Sequence, residues 1–204
     1  MSDDTFRYAM YTLQTGHRPL AAFAEVFDSL VSSMVPRLRE IENESGTTSR
    51  RNLEIALSDT AILMTYSLVE GFFYEEYKFY FNEEPKRGRK LEDNVRDILK
   101  RIGISNNEHI ESGVSQISGL RAARHAIAHR NGALKETEIS ELQEHFGPDV
   151  ETSRGYPVAT VRFAVQIIQA SERLVTSYSE AAFNSVIRAQ QTVPPDVPVD
   201  ASRR

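Results

Sequence analysis

A short segment of the chain concentrates arginine and histidine among small residues. Three arginines and two histidines lie within residues 120–132: Arg121, Arg124, His125, His129 and Arg130. A guanidinium group binds phosphate through paired N–H donors, and an imidazole can give or take a proton near neutral pH. These groups can therefore bind or cleave a phosphodiester. The four alanines among them would let a second surface approach closely.

Arg124 and His129 of this segment are five positions apart. Asn131 and Gly132 are typical of residues that close a helix, so His129 is expected about one turn before a helix end. Side chains five positions apart on a straight helix, at ~100° per residue, point ~140° away from each other. One chain therefore cannot easily bring both groups to a small ligand, whereas two copies packed about a two-fold axis can.

The spacing of apolar residues predicts the helices that must position this segment. Apolar residues recur three and four positions apart in six segments: 19–44, 52–81, 91–102, 106–130, 137–146 and 158–190. Only residues 157–161 suggest a strand. We expect an all-α bundle of about five to six helices, which dimerises through the helix of residues 106–130. Pro36 should bend the first of these helices or end it early.

The length of the chain, 204 residues, fits one domain. We expect residues 1–191 to form a single helical domain. Residues 192–204 contain three closely spaced prolines and are expected to form a flexible tail. The residues before Pro19 suggest either a short helix swapped onto a partner or a loosely held arm.

The composition excludes several classes of protein. The absence of cysteine removes disulfide frameworks, thiolate zinc sites, iron–sulfur clusters and cysteine nucleophiles. No apolar run approaches the ~18 residues that a membrane span needs, and Met1 is followed by Ser-Asp-Asp rather than by a signal sequence. We therefore expect a cytoplasmic protein that has no membrane partner. A net charge of −5 argues against a globally cationic coat for nucleic acid, but local patches remain possible.

One local patch is basic. Residues 86–101 hold seven basic and three acidic residues, which gives this segment a charge of +4 in a chain of net charge −5. Positive charge steers a phosphate backbone toward a protein surface. Four residues are therefore candidates for RNA binding: Lys86, Arg87, Arg89 and Lys90. A solvated loop followed by a helix start is the alternative interpretation.

The segment 52–81 is rich in aromatic residues and carries one acid of interest. Its aromatic side chains point in almost every direction around a helix, which favours burial on several sides over stacking on bases. Glu70 stands in an otherwise apolar stretch, so it is a supporting candidate for the site. Equally, Glu70 can be a buried carboxyl that pairs with an arginine of residues 120–132 and stabilises the bundle.

The arginine–histidine segment resembles the signature of a known family. Arg124, a polar residue at 125, three further residues and then His129 match the R-polar-x-x-x-H motif of HEPN domains, the helical "higher eukaryotes and prokaryotes nucleotide-binding" superfamily. The continuation Ala-Ile-Ala-His-Arg-Asn-Gly is similar to many HEPN motifs. The stretch Leu-Val-Glu-Gly at 68–71 resembles the helix that packs beside the motif. The resemblance covers roughly residues 52–190.

This resemblance implies an endoribonuclease that needs no metal or other cofactor and cuts RNA in a cleft between two copies of the chain. Arg124 and His129 would be catalytic: His129 as base or acid during attack by a ribose 2′-hydroxyl, and Arg124 as phosphate ligand. Four residues would support the site: Glu70, Arg121, His125 and Arg130. Such nucleases serve toxin–antitoxin or antiviral defence systems, so an antitoxin or other neutralising protein is a further expected partner.

Other interpretations stay open. A HEPN-like bundle can bind RNA or a protein, or merely dimerise, without catalysis. A helical adaptor outside the family would leave the arginines and histidines exposed on a monomer. His125 and His129 could form half of a metal site, but no glutamate follows His125 in the pattern of a zinc protease helix. The remaining ligands would have to be His17, His109 or His145, so no metal site is expected.

Overall fold

The computed structural model describes residues 3–45, 49–104, 107–130, 135–147, 152–153, 156–157 and 161–191. Within these ranges the chain forms seven helices and two very short strands. In chain order they are α1 Asp3–Thr15, α2 Arg18–Ser45, α3 Ser49–Phe81, α4 Leu91–Arg101, α5 Glu108–Arg130, α6 Glu136–Phe146, β1 Thr152–Ser153, β2 Tyr156–Pro157 and α7 Val161–Gln191. The predicted all-α bundle is confirmed, and the six predicted helical segments correspond to α2–α7.

Helix α3 lies at the centre of the bundle and packs against α2, α4, α5 and α7. Its aromatic and aliphatic residues at helical spacing, among them Tyr66, Val69, Phe73 and Tyr77, are almost completely buried. Phe73 meets Tyr178 of α7 edge to face, with ring centroids 5.1 Å apart. Truncating a buried aromatic side chain of this kind typically costs ~3–5 kcal/mol. The aromatic residues of α3 therefore form the core, as their distribution predicted.

Helix α5 carries the arginine–histidine segment at its C-terminal end. Ile110, Val114, Ile117 and Leu120 recur at helical spacing and are buried against the rest of the bundle. Gly113 lets α5 approach α7 closely, because a Cβ at this position would lie only 2.6 Å from Leu174 Cδ1. The N-terminal half of α5 is therefore held firmly, and its last turns project a second, uncovered face.

Helix α2 continues through Pro36 to Ser45, so the expectation that proline ends it early is wrong. Pro36 lies on an exposed side of the helix, where water can satisfy the carbonyl that loses its N–H partner. Phe27, on the opposite side, is buried in a cluster with Ala61, Ala164 and Ile168.

The residues before Pro19 form helix α1, which packs against α7 of its own chain. Phe6 lies against Phe183, with ring centroids 5.9 Å apart. Tyr8 stacks on Phe79 of α3 at a centroid distance of 3.6 Å. In the structure this segment is therefore a helix that is docked on the bundle of its own chain.

The remaining elements are minor. Strands β1 and β2 pair in antiparallel fashion over two residues each, and β2 shares only Pro157 with the predicted stretch 157–161. Residues 158–160 lie outside the described residues, and Val161 begins α7. The predicted flexible tail, residues 192–204, lies outside the described residues. Across the described part of the chain, no helix combines the length and apolar character needed to cross a bilayer.

Candidate functional site

The predicted site residues of α5 lie on one side of the helix. His125, Ala128 and His129 are exposed, while Arg121 and Arg124, on the same side, are half-buried. At ~100° per residue these five side chains span a sector of ~140°, with Arg124 at one edge and His129 at the other. We call this sector the motif face. The opposite side of the helix, which includes Leu120, Ala122, Ala123 and Ala126, is buried in the bundle.

The two histidines of the motif face lie close together. The ring centroids of His125 and His129 are 4.9 Å apart, and their planes are inclined by 51°. The separation of four positions places them on successive turns of one face. Both rings are exposed, so a proton donor and a proton acceptor can be presented at one place on the surface.

Arg124 stacks on an aromatic ring of the core. Its guanidinium carbon lies 4.8 Å from the centroid of the Tyr66 ring, and Tyr66 is only 3% exposed. A cation over an aromatic face gains ~0.5–2 kcal/mol, depending on how far it is desolvated. Stacking uses the flat face of the guanidinium and leaves its N–H edges free for an anion. Tyr66 therefore fixes Arg124 in a position from which it can bind phosphate.

The charged groups around the site act on the hydroxyl of Tyr66. Burial, together with the nearby carboxylates of Glu70 and Glu92, raises the pKa of its hydroxyl to about 12, although Arg124 and Arg121 act in the opposite direction. The phenol therefore keeps its proton at neutral pH. Glu70 is exposed, so the interpretation of Glu70 as a buried carboxyl is wrong, although its charge does act on this site.

The buried carboxyl beside the motif face is Glu92 of α4. Arg121 Nε donates a hydrogen bond to Glu92 Oε1 at 3.2 Å, and the Glu92 side chain is only 5% exposed. Its other oxygen, Oε2, is buried and has no hydrogen-bond partner among the described residues. Arg121 therefore joins α5 to α4, while Glu92 Oε2 is a buried acceptor without a hydrogen bond among the described residues.

Arg130 is occupied by α6. Its Nη2 lies 2.9 Å from both carboxylate oxygens of Glu138. Burial of Glu138 opposes its charged form, but hydrogen bonds from the Lys135 backbone N–H and from Arg130 outweigh that effect and lower its pKa. This pairing ties α6 to the end of α5. In the structure Arg130 therefore stabilises the helix end that carries His129, and its Nη2 is committed to Glu138.

The predicted RNA-binding residues precede α4 and differ in their availability. Lys86, Arg87 and Lys90 are exposed. Arg89 instead forms an ion pair with Asp97 of α4, with Nη1 2.7 Å from Oδ2. Three of the four cations are therefore free to meet an anionic chain, and Arg89 holds the loop against the helix.

One of two cavities adjoins the site. The larger of the two, of about 910 Å³, lies between the start of α5 and α7, and none of the predicted site residues lines it. A smaller cavity of about 250 Å³ lies between α4, α5 and α6 and is lined by Lys90 and Glu92, which places it directly beside the motif face. In the described ranges no three histidine, aspartate or glutamate side chains converge so as to hold a metal ion.

Sequence reasoning missed three residues that shape the site: Tyr66, Glu92 and Glu138. Tyr66 was counted only as one of many aromatic residues, and nothing in its spacing identifies the arginine that stacks on it. Glu92 carries a usable signal, since it lies seven positions before the buried Leu99 and so on the same side of α4. Glu138 lies in the first turn of α6, a common place for an acid, and its partner across the loop is not encoded locally.

The chain was compared with known proteins at the levels of family, sequence and fold. No protein-family model matches it, and it has no match among curated proteins or among solved structures.

Proposed function

We propose that this protein is a HEPN-type endoribonuclease that cleaves RNA without a metal ion, at a site composed of two copies of the chain. The observation that carries this proposal is the motif face of α5, where Arg124 and His129 flank an exposed sector that also holds His125. Arginine and histidine presented together on a rigid helix supply the two functions that phosphodiester cleavage requires, charge neutralisation and proton transfer.

The reaction follows from these groups. A neutral imidazole, which we assign to His129, removes the proton of a ribose 2′-hydroxyl. The 2′-oxygen then attacks the adjacent phosphorus, and the bond from phosphorus to the 5′-oxygen of the next nucleotide breaks. An imidazolium in the same cleft, for which His125 is the candidate, returns a proton to that oxygen, while Arg124 binds the phosphate oxygens as their charge grows. The products are a 2′,3′-cyclic phosphate and a free 5′-hydroxyl.

Two copies are needed because of the direction of the side chains. Arg124 and His129 of one helix diverge by ~140°, so one chain does not aim both at the same phosphate. A two-fold axis passing near Ala128 would place Arg124 of one copy beside His129 of the other. Ala128 is exposed and small, so it permits the close approach that this packing requires.

The surrounding residues have positioning roles in this proposal. Tyr66 holds the guanidinium of Arg124 by stacking. Arg121 and Arg130 fix the two ends of the motif face through Glu92 and Glu138. A constellation held in this way loses little entropy on binding the transition state. Glu70, which is exposed near Tyr66, is a secondary candidate for orienting Arg124.

The RNA backbone would approach over the basic segment before α4. Lys86, Arg87 and Lys90 are exposed and lie on the chain just before the helix that carries Glu92, the partner of Arg121. In a chain of net charge −5, such a local patch directs an anionic polymer to one side of the molecule. By the resemblance to HEPN nucleases, we place this activity in the cytoplasm, in a toxin–antitoxin or antiviral system with a neutralising protein partner.

The proposal is tested by incubating purified protein with mixed RNA in excess chelator and analysing the product ends. We expect cleavage that leaves 2′,3′-cyclic phosphates. His129→Ala should lower the rate by ~10²–10⁴-fold and Arg124→Ala by ~10²–10³-fold. His109→Ala and Arg173→Ala are matched controls, because both residues are exposed and lie away from the motif face. Cleavage that survives in both motif variants would refute the assignment.

The same experiment decides between a nuclease and a binding module. A non-catalytic HEPN-like domain would bind RNA, or dimerise, with no cleavage by any form of the protein. Arg121 and Arg130 form ion pairs with Glu92 and Glu138, so fewer arginines are free to bind a scissile phosphate. This observation favours the second candidate.

A further inference from the structure

The cavity between α4, α5 and α6 has the features of a binding pocket for a nucleobase. It measures about 250 Å³ and is lined mainly by polar atoms, among them those of Ser115, Ser118, Glu141 and His145. Ser118 Oγ donates a hydrogen bond to Glu141 Oε1 at 2.6 Å. Ser115 Oγ lies 3.3 Å from His145 Nε2. We call this cavity the α4–α6 pocket.

Glu141 of the α4–α6 pocket keeps free capacity to accept hydrogen bonds. Its side chain is half-buried, and Ser118 is the one side-chain donor found for its carboxylate among the described residues. Glu92 also lines the pocket, with a side chain that is 95% buried and an Oε2 that has no partner in the part of the chain that the structure describes. A carboxylate can accept about four hydrogen bonds, so a donor-rich ligand can bind Glu141.

The charges around the pocket indicate what kind of donor-rich ligand fits. The carboxylates of Glu92, Asp93 and Glu141 line it together with the exposed cations Lys90 and Arg96, and Arg96 Nη1 lies 3.7 Å from Asp93 Oδ1. A simple cation, such as an amine or a guanidinium, would be attracted by the carboxylates but repelled by these two cations. A nucleotide suits both kinds of group, because its base carries N–H donors and its phosphate is anionic.

The pocket is also on the correct side of the motif helix. Ser118 precedes His125 by seven positions, so the two side chains point within ~20° of each other and are ~10 Å apart along α5. Arg121, between them, connects the two places directly through its hydrogen bond to Glu92. A nucleotide next to the scissile one can therefore reach the pocket while its phosphate stays at the motif face.

We propose that the α4–α6 pocket selects guanine in the RNA strand that the enzyme cuts, with Glu141 as the residue that reads the base. This inference rests on the proposed function for the identity of the strand. Guanine presents two adjacent donors on its Watson–Crick edge, N1–H and N2–H₂, which a carboxylate can accept together. Adenine and cytosine place an acceptor beside their single amine, and uracil has acceptors on both sides of its one N–H, so each sets an acceptor against the carboxylate.

The first experiment compares cleavage of short RNAs that are identical except for guanine, inosine or adenine at one position beside the cut. Inosine lacks only the 2-amino group. We expect guanine to be preferred over both by ~10–100-fold in kcat/KM, the usual range for a bidentate base contact. Glu141→Gln should abolish most of this preference, and Ser118→Ala should weaken it. Glu144→Gln, an exposed position on the same helix, is the matched control and should keep it.

The second experiment measures binding of guanosine, inosine and adenosine 5′-monophosphates by calorimetry, without any cleavage. We expect guanosine monophosphate to bind most tightly and Glu141→Gln to remove that advantage. RNA cleavage with no base preference, or with a preference unchanged in Glu141→Gln, would overturn the guanine pocket and leave the nuclease intact. Guanosine monophosphate binding that depends on Glu141, in a protein that cuts no RNA, would support the pocket and refute the proposed function. No binding of guanosine monophosphate would overturn the pocket.

Discussion

Replacement of the buried Glu76 is expected to cost the bundle a large part of its stability. Glu76 of α3 is 2% exposed. It accepts hydrogen bonds from Thr12 Oγ1 of α1 at 3.1 Å and from the Tyr178 hydroxyl of α7 at 2.6 Å. The hydroxyl of Tyr8, also on α1, is a third donor. One carboxyl therefore joins three helices, and burial beside that carboxyl raises the pKa of Tyr178 so that its hydroxyl stays a donor.

The magnitude follows from the donors that lose their acceptor. Glu76→Leu keeps the side-chain volume roughly constant but leaves three hydroxyl groups without the carboxylate. Each buried unsatisfied group costs ~1–3 kcal/mol, less where water can enter, so we expect a total of roughly 3–5 kcal/mol. Domains of 150–250 residues lose ~2–4 °C in Tm per kcal/mol, which predicts a decrease of roughly 6–20 °C.

The assay is thermal and urea unfolding followed by far-ultraviolet circular dichroism. Glu75→Leu provides the matched control, since Glu75 is exposed and lies 3.9 Å from the exposed Lys78. A surface change of this kind is expected to stay within ~0.5 kcal/mol. Equal losses of stability in the two variants would refute the reasoning, because the structure assigns nearly all of the cost to the buried network.

Three further predictions concern pH, stacking and charge. Burial raises the pKa of Glu76 above its ordinary value of 4.5, so the folded protein holds this proton more tightly than the unfolded chain. Its contribution to the free energy of unfolding should therefore fall as pH rises from about 4.5 toward the raised pKa. Urea titrations of Glu76→Gln should lack that slope, and an unchanged slope would exclude this carboxyl as its source. Tyr66→Ala should slow RNA cleavage ~10-fold or more through loss of the stack on Arg124, whereas Tyr66→Phe should stay near wild type; equal rates in both variants would contradict the positioning role. The double variant Lys86→Ala/Arg87→Ala should bind single-stranded RNA with a salt dependence that is weaker by ~1.4 in the slope of log affinity against log salt concentration. A slope equal to that of the wild type would show that Lys86 and Arg87 do not contact the RNA backbone.

The sequence predicts the helices well, because they depend on local periodicity. Apolar residues three and four positions apart in α5 determine which side of the helix is buried. Residues 106–130 were predicted as one helix, and α5 runs over Glu108–Arg130. Pro36 shows the limit of local rules: α2 continues through this proline, which lies on an exposed side where water can replace the missing hydrogen bond.

The sequence could not predict the contact partners of the site residues, for a physical reason. Arg124 meets Tyr66, and Arg121 meets Glu92, across helices separated by tens of residues. Nothing in either local pattern encodes which helices become neighbours. Glu70 illustrates the difficulty. Its apolar neighbours suggested that its carboxyl is buried, but the buried carboxyl of α3 is that of Glu76, six positions later.

The central claim, that Arg124 of one copy acts with His129 of the other, is tested most directly by mixing two inactive variants. Arg124→Ala and His129→Ala are purified separately and then combined, so that about half of the exchanged dimers contain one chain of each kind. Each mixed dimer holds one intact pair, an arginine from one chain and a histidine from the other. We predict that RNA cleavage returns on mixing, and that the double variant Arg124→Ala/His129→Ala restores nothing when mixed with either. Mixed dimers that form, as detected by cross-linking of differently tagged chains, yet stay inactive would contradict the account.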